Sequence, residues 1–447
     1  MYRLITGIGI LFCFMTGSNA QEEVDFNRVN AETYRLYLEQ EWDSLIDLGK
    51  EAIRQDMDYY YLRMRLGIAC YTKKNYRKAS SHFSVALEQN QGDPVAMEYL
   101  YYSRLLAGQY EQASLIRDQF KGDLALKMPA ADSKFAEKIS AAYLYSQGID
   151  PEDFPLTFIS YPGVQYATLH FSNTSLALVN RLSPGVSLAH GFNLLSKTNG
   201  YLSFDGLYGH YTLEQKVKQV QYYISPHFTS PGGSVWMPVV HILSIRHQDF
   251  VLYGTGYQGG SGTYSLEYFR ETDFISGLGY KTGIGPVNLH LGVYYSSLNH
   301  KRQLQNRVGL TWFPLGNLNF YAGGYLNTQY EYPKGQEGVV RIIPEAHLGF
   351  AISEKVWFDL NAATGEMTNY LEGNGSIVYN SYSEYIDRKI QFTLSIPVSK
   401  KGSLLYLGGR WTASRSEYYP LDPEAPGDLN TITYNSLSIY GGISWKF

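Results

Sequence analysis

The chain contains very little cysteine, with only 2 such residues among 447. Cys13 lies in the first 20 residues, which have the features of a signal peptide, so Cys70 is left alone in the mature protein. A single cysteine cannot form an internal disulfide. The exported fold must therefore be held together by other means.

Long apolar segments and a strong net charge are also lacking. After residue 20, no stretch offers about 20 consecutive apolar residues, so the mature chain has no candidate transmembrane helix. The formal net charge of -4 gives no electrostatic reason to expect a nucleic-acid partner. No close His pair or His/Cys spacing indicates a metal site, and no motif indicates a cofactor or a catalytic set. We therefore expect a protein that is not an enzyme.

The first 20 residues have the pattern of a secretory signal peptide. Arg3 supplies the positive charge, residues 4–15 form a short apolar run, and Ser18 and Ala20 are the small residues that precede a cleavage site. This pattern predicts that the protein is exported from the cytoplasm.

The end of the chain alternates between two kinds of side chain. One face is apolar or glycine and consists of Leu437, Ile439, Gly441, Ile443, Trp445 and Phe447. The other face consists of Ser438, Tyr440, Gly442 and Ser444. Because successive residues of a strand point to opposite faces, this pattern predicts a wall strand of a lipid-embedded β-barrel. A terminal strand of a soluble β-sandwich is the alternative interpretation.

Further segments with the same period of two precede it. They cover residues 287–294, 318–326, 356–363, 389–396 and 405–412. The register assigns a whole face at a time, so the apolar sets are expected to face lipid and the polar sets the lumen. The lumen candidates are Tyr294, Tyr321, Tyr325, Asp359, Lys389, Tyr406 and Arg410. Their tyrosines fit either of two roles, platforms for passing sugar rings or ordinary wall residues.

Turn signals divide this region into antiparallel hairpins. They lie at residues 183–185, 198–200, 231–233, 259–260, 285–286, 316–317 and 400–402. Working back from the last strand, we place the turns at Lys400, Glu354, Gly316, Gly285 and Gly259 at one end, in the periplasm. The length of the region predicts about 14 to 16 strands.

Residues 21–148 are predicted to form an N-terminal helical domain, joined by a linker over 149–162 to a barrel over 163–447. Its pattern recurs at about 34 residues and resembles the helical hairpins of tetratricopeptide repeats. The residues expected to pack between these helices are Leu66, Gly67, Cys70, Ala79, Phe83 and Ala86, with Leu100 and Ala113 one repeat later. We also expect a capping helix over residues 134–147. The predicted fold class is therefore α plus membrane β, with helical hairpins before an antiparallel transmembrane barrel.

In this register, one helix of each pair contributes residues to a concave groove. The groove candidates are Tyr61, Met64, Tyr71, Glu98 and Tyr102. Tyrosine combines apolar area with a hydroxyl at low rotamer cost, which suits the binding of a peptide or a partner helix. The alternative is that these residues are buried between repeats or against the barrel.

Two resemblances extend these predictions. The spacing of Tyr440, Gly442, Trp445 and Phe447 resembles the C-terminal β-signal that outer-membrane assembly machinery recognises. The order of signal peptide, repeat domain and barrel resembles exopolysaccharide exporters of the poly-N-acetylglucosamine, alginate and cellulose type. These resemblances imply a location in the outer membrane with the helical domain in the periplasm. The partners they imply are membrane lipid, the barrel assembly machinery, a periplasmic protein bound by the repeats, and a polysaccharide as cargo. An envelope scaffold for secretion or assembly and a passive porin are the competing functions.

Overall fold

The computed structural model describes residues 26–128, 136–148, 163–205, 209–253, 263–332, 337–380, 384–399, 403–418 and 430–446. Its first part is helical. The helices are α1 (Phe26–Leu38), α2 (Trp42–Arg54), α3 (Tyr60–Thr72), α4 (Tyr76–Gln89), α5 (Pro94–Leu106), α6 (Tyr110–Arg117) and α7 (Gly122–Lys127). The predicted signal peptide, residues 1–20, lies outside the described residues.

The helices form antiparallel pairs at a regular interval. Helices α1, α3 and α5 begin at residues 26, 60 and 94, and α2, α4 and α6 begin at residues 42, 76 and 110, so each kind recurs every 34 residues. All eight predicted packing residues, from Leu66 to Ala113, are buried. The ring of Phe83 lies against Gly67, where even a Cβ atom would collide with it. The glycine therefore lets α3 and α4 approach closely.

Local capping fixes where two of these helices begin. The side chain of Asn75 accepts a hydrogen bond from the Lys78 amide at the start of α4. Asp93 does the same for Ala96, and Pro94 occupies the first position of α5. Both arrangements satisfy or remove backbone donors that have no partner within the helix.

The second part is a closed antiparallel barrel with 14 strands in its wall. The strands are β1 (Lys138–Gly148), β2 (Gly163–Ser183), β3 (Val186–Asp205), β4 (Gly209–Thr229), β5 (Val235–Tyr253), β6 (Thr263–Ile284), β7 (Val287–Leu298), β8 (Lys301–Trp312), β9 (Phe320–Tyr332), β10 (Val339–Ser353), β11 (Val356–Thr364), β12 (Tyr370–Glu372), β13 (Ile377–Tyr379), β14 (Glu384–Pro397), β15 (Leu404–Tyr418) and β16 (Asn430–Lys446). Strands β12 and β13 pair only with each other, outside the wall. The strand number lies within the predicted range.

The wall is apolar outside and polar inside, as the alternation predicts. On β16, Leu437 and Ile439 are 53% and 70% exposed on the outer face, whereas Ser436 and Ser438 are buried inside. Because the first and last wall strands pair, no strand edge is left open. Among the described helices, none has the length and apolar character needed to cross a membrane.

The predicted capping helix over residues 134–147 is wrong. Strand β1 occupies Lys138–Gly148 and pairs with both β16 and β2, so the described barrel begins before the predicted boundary at residue 148. Tyr143 and Tyr145 are exposed outside, while Ser146 is buried inside. This alternation is the pattern of a strand, and the strand closes the sheet. The predicted linker over 149–162 lies outside the described residues.

Two turn predictions also need correction. Residues 198–200 lie within β3, whose backbone pairs with β2 and β4 through that point. Strand β6 runs unbroken from Thr263 to Ile284, so Gly285 and the start of β6 lie at opposite ends of the barrel, and the turn predicted at Gly259, on the same side as Gly285, lies outside the described residues. The prediction assumed that a strand and its turn together take about 18 to 20 residues. Strands β2 to β6 alone have about 20 residues each, so the predicted turns did not match their ends.

We call the two ends of the barrel the turn end and the loop end. The turn end carries the connections β2–β3, β4–β5, β6–β7, β8–β9, β10–β11 and β14–β15. It also carries the start of β1, which follows the helices, and the end of β16. The loop end carries the remaining connections, which range from two residues between β7 and β8 to residues 365–383 between β11 and β14.

Candidate functional site

A hairpin folded into the barrel divides its lumen. We call residues 367–380, which contain β12 and β13, the lumen hairpin. Met367 and Tyr370 are fully buried, and Leu371 is 1% exposed. The described residues of this segment therefore lie inside the barrel.

Apolar side chains attach the lumen hairpin to one side of the wall. Leu371 packs in a cluster with residues of β5, β6 and β7, namely Val239, Leu243, Ile245, Ile275, Tyr294 and Leu298. Met367 and Tyr370 pack with Ile343 and Ala363. Burial of these side chains removes apolar area from water and stabilises the inward conformation.

Amide side chains of the wall also hold the hairpin backbone. Gln305 donates to the Leu371 carbonyl at 2.7 Å and accepts from the Leu371 amide at 3.0 Å, as a neighbouring strand would. Gln329 donates to the Thr368 carbonyl at 2.8 Å. His241 Nδ1 donates to the Gly375 carbonyl at 2.9 Å. These bonds satisfy backbone groups that water cannot reach.

Buried charges complete the attachment. Arg307 forms two hydrogen bonds with Glu345, at 2.9 and 3.0 Å, and the Tyr370 hydroxyl donates to the same carboxylate. Lys389, which is fully buried, is paired with Glu372 of the hairpin. Buried ions are tolerated when paired and hydrogen-bonded, and removal of one partner is strongly destabilising. The hairpin is therefore built into the wall.

An open cavity of about 730 Å³ remains on the opposite side of the lumen. Amides and hydroxyls are the most numerous side chains in its lining and include Asn173, Asn193, Asn199, Gln215, Gln219, Gln221, Thr412, Ser414, Ser436 and Ser438, and apolar side chains such as Phe171 and Val217 lie between them. Charged groups of both signs also line it, among them Lys197, Glu271 and Arg410. Such a surface offers both donors and acceptors to a polar solute.

The seven predicted lumen residues all lie on the inner side of the wall. Their tyrosines stand directly opposite glycines of neighbouring strands, in the pairs Tyr294–Gly277, Tyr321–Gly349, Tyr325–Gly309 and Tyr406–Gly442. Tyr440, from the predicted β-signal, covers Gly408 in the same way. Each ring covers exposed backbone at a glycine, which stabilises the sheet. This arrangement favours the wall role over the sugar platform.

The other lumen candidates are held by neighbours. Asp359 accepts a hydrogen bond from Tyr321, and Arg410 Nε donates to Gln391 at 2.9 Å. Lys389 is paired with the lumen hairpin, as described above. Of the three, Arg410 lines the open cavity.

The helical domain lies across the turn end and covers the mouth of the barrel. Its contacts come from the loops between paired helices, from the first turns of α4 and α6, and from the residue after α6. Arg77 N donates to the Gly316 carbonyl at 3.0 Å, and its guanidinium lies 3.9 Å above the Phe313 ring. Gln112 donates to the Gly233 carbonyl at 2.7 Å. We call the helical domain in this position the cap.

An ion pair between Asp118 and Arg181 fixes another part of the cap. The two side chains are 13% and 11% exposed. Asp118 follows α6 and Arg181 lies near the turn end of β2, so the pair joins the two domains. Together with Arg77 and Gln112, this pair forms what we call the seat of the cap. Between cap and mouth lies a second cavity of about 1050 Å³, which Tyr110, Trp357 and Ser444 help to line.

The predicted groove residues differ in their surroundings. Tyr61 is 64% exposed, whereas Met64 is buried in the helical core with Phe83, so the groove prediction is wrong for Met64. The ring of Tyr71 packs against Tyr76 and Tyr99. Glu98 and Tyr102 are half-buried. The exposed part of the predicted groove is therefore smaller than expected.

The predicted β-signal residues lie on both faces of β16. Tyr440 and Gly442 face inward, and Trp445 is 41% exposed on the outer face. Phe447 lies outside the described residues. Within the described part of the chain, no group of three or more His, Cys, Asp or Glu side chains is arranged to hold a metal ion.

Sequence reasoning missed the lumen hairpin, although one local signal was present. Asn369, Gly373, Asn374 and Gly375 all adopt positive φ angles, which glycine and asparagine tolerate best. The run of Gly373-Asn374-Gly375 is a turn signal of the kind that joins two short strands. It indicates the hairpin but not the direction in which it folds.

Several solved structures have a fold similar to that of this chain. The toluene transporter TodX of Pseudomonas putida aligns with 73% of this chain and 94% of its own, at 9% identity and a TM-score of 0.45. A FadL homologue of Pseudomonas aeruginosa aligns with 70% of this chain and 90% of its own, at 7% identity and a TM-score of 0.40. A bacterial polysaccharide outer-membrane secretin aligns with 70% of this chain and all of its own, at 8% identity and a TM-score of 0.31. No protein-family model matches the chain, and no curated protein matches it. Similarity this low carries no argument about cargo.

Proposed function

We propose that this protein is an outer-membrane transport barrel through which an uncharged, hydroxyl-rich solute passes. The observation that carries the proposal is the amide- and hydroxyl-lined cavity inside a wall whose outer face is apolar. Hydroxyl groups of a sugar both donate and accept hydrogen bonds, and amide side chains do the same. The apolar belt fits a lipid environment for the wall.

The sharpest form of the proposal is export of a polymer such as an exopolysaccharide. In this form the cap lies in the periplasm as a tetratricopeptide-like stack and recruits a partner protein. The interval of 34 residues between equivalent helices supports the repeat assignment. The cap uses its loops to contact the barrel, which leaves Tyr34 and Tyr61 exposed at 50% and 64% for a partner.

A passive porin fits these features less well. The lumen hairpin occupies one side of the interior, and the cap covers the turn end. A pore for free diffusion needs a continuous aqueous channel. Regulated passage therefore fits the arrangement better than a permanently open one.

A transport assay on the full-length protein tests the proposal. Purified protein is reconstituted into liposomes, and swelling in raffinose reports influx of an uncharged trisaccharide. We expect raffinose influx above that of empty liposomes when Arg181→Asp breaks the ion pair that fixes the cap, and in that background a lower rate for Ser438→Leu, which places an apolar group in the cavity. Ile439→Leu, on the outer face one residue further, is the matched control and is expected to keep the rate. Absence of raffinose influx, or recovery of the protein from the soluble periplasm, would contradict the proposal.

A further inference from the structure

The cap is attached to the barrel by mostly polar contacts along its edge, which also include the Asn317 side chain donating to the Lys74 carbonyl at 2.9 Å, and Leu318 lies against Gly108 there. The seat consists of Arg77, Gln112 and the Asp118–Arg181 pair, and these contact turns β2–β3 to β8–β9 or the ends of their strands. Side chains of the cap also line the cavity of about 1050 Å³ that separates it from the mouth. The cap therefore covers the mouth without filling it.

Arg77 gives the seat little net stability. Its guanidinium is buried and donates to the Gly285 carbonyl at 3.2 Å and to Asn288 at 3.1 Å. Its Nε and Nη2 atoms are buried without a hydrogen-bond partner among the described residues, and burial lowers the pKa of Arg77 to about 10. Both groups it donates to are uncharged, so the loss of hydration offsets much of what these bonds contribute.

The Asp118–Arg181 pair is the strongest electrostatic contact of the seat. Both side chains are nearly buried. A hydrogen-bonded pair of opposite charges holds the end of α6 against β2. Breaking such a pair leaves one charge buried and uncompensated unless water enters. When the cap lifts, water reaches both side chains. The pair can therefore separate without leaving an unpaired charge buried.

We propose that the cap is a lid over the turn end of the lumen, and that the Asp118–Arg181 pair is the latch that holds it closed. Lifting of the cap widens the half-open cavity under it towards the periplasmic solvent and exposes the wall residues beneath, whereas the lumen hairpin keeps its place in the wall. The lid role rests on the proposed transport function. The movement itself can be measured without transport.

Labelling of a buried cysteine under the cap measures this movement in the full-length protein. Ser444 is 4% exposed and lines the cavity beneath the cap, so a Ser444→Cys variant reacts with a water-soluble maleimide when the lid lifts. The natural Cys70 is buried in the helical core. The parent protein, which has serine at position 444, gives the background rate of maleimide labelling at Cys70.

Charge reversal then tests the latch. In the Ser444→Cys background, Arg181→Asp places two carboxylates together and is expected to raise the labelling rate about tenfold, the factor that loss of a charge-assisted bond of this kind gives. Adding Asp118→Arg restores opposite charges and is expected to return the rate to near its starting value. Asp43→Arg, which breaks the exposed pair with Lys73 within the cap, is the matched control and should leave labelling unchanged.

Two results would overturn the latch. One is an unchanged labelling rate in Arg181→Asp, and the other is a raised rate that the second reversal does not lower. Heat-modifiable migration on mild gels shows that each barrel is folded. If Arg181→Asp prevents folding, Asp118→Arg alone breaks the pair without altering the barrel. Raffinose influx is measured on the same samples, so a lid that lifts without transport would contradict the proposed function and leave the latch standing.

Discussion

Two elements obstruct the lumen, and they are attached in different ways. The lumen hairpin has an apolar cluster around Leu371, paired buried ions at Glu345 and Glu372, and amide bonds along its backbone. The cap has a seat of polar contacts over a cavity. Apolar burial and paired interior charges resist separation, whereas polar contacts beside an open cavity can be exchanged for contacts with water once the elements move apart. The difference fits the proposed roles, in which the hairpin shapes the path and the cap controls access to it.

The largest expected effect comes from removing a charge beneath the hairpin. Glu345→Leu leaves Arg307 buried without its carboxylate and removes the acceptor of the Tyr370 hydroxyl. We expect a loss of about 3 to 5 kcal/mol in the free energy of unfolding, measured by urea titration in detergent. Protease cleavage near residue 373 is expected to follow, because the hairpin loses its fixed place.

A double variant is the control for this effect. Arg307→Met with Glu345→Leu removes both charges and is expected to recover most of the lost stability, since an apolar pair avoids burying an ion. A Glu345→Leu protein as stable and as protease-resistant as the parent would show that the hairpin is not held by these ions. The contrast between a fixed hairpin and a mobile cap would then be wrong.

Acid is expected to affect the cap before it affects the hairpin. Burial, reinforced by the nearby Arg63, lowers the pKa of His82 from 6.5 to about 4. The unfolded chain therefore takes up a proton at a higher pH than the folded cap does, so His82 makes stability fall as the pH drops from about 6.5 towards 4. The loss is on the order of 3 kcal/mol at the lower pH.

Stability curves at several pH values measure this effect. Loss of helical circular dichroism on heating is followed at pH 7 and pH 4.5 for the parent and for His82→Leu. We expect the variant to lose much less stability between the two pH values, because it has no proton to take up there. An equal loss in both proteins would assign the acid sensitivity to another group.

Much of the wall could be predicted from the sequence. Alternation along β16 and the segments before it gave the correct lipid and lumen faces, because one buried face requires a period of two along each strand. Strand β1 was missed because Ala141, Ala142 and Leu144 suit a helix as well as a strand. Only pairing with the free edge of β16 decides between them.

The candidate sites were harder to predict because their partners are distant in sequence. Gln305 and Leu371 are 66 residues apart, and Asp118 and Arg181 are 63 residues apart. Neither pair belongs to a local motif. The tyrosines of the lumen could be placed on the inner face by alternation, but their role depended on which residue faced each of them across the strands. That register follows from the whole sheet.

The smallest expected effect is that of Gln112→Ala, and Gln305→Ala is its reference because the two glutamines make bonds of equal length. Gln112 donates to the Gly233 carbonyl of the barrel at 2.7 Å, and Gln305 donates to the Leu371 carbonyl of the hairpin at the same distance. Gln305→Ala leaves the buried carbonyl and amide of Leu371 without a hydrogen-bond partner from this side chain. We expect a loss of about 2 to 4 kcal/mol in the free energy of unfolding. In Gln112→Ala, water can replace the side chain at the seat, and we expect a loss below about 1 kcal/mol together with faster labelling of Ser444→Cys by about threefold. Urea titration and the maleimide assay measure the two quantities. If Gln112→Ala destabilised the protein as much as Gln305→Ala, water would be excluded from the seat as it is from the contacts of the lumen hairpin. The cap would then be a second fixed element of the barrel.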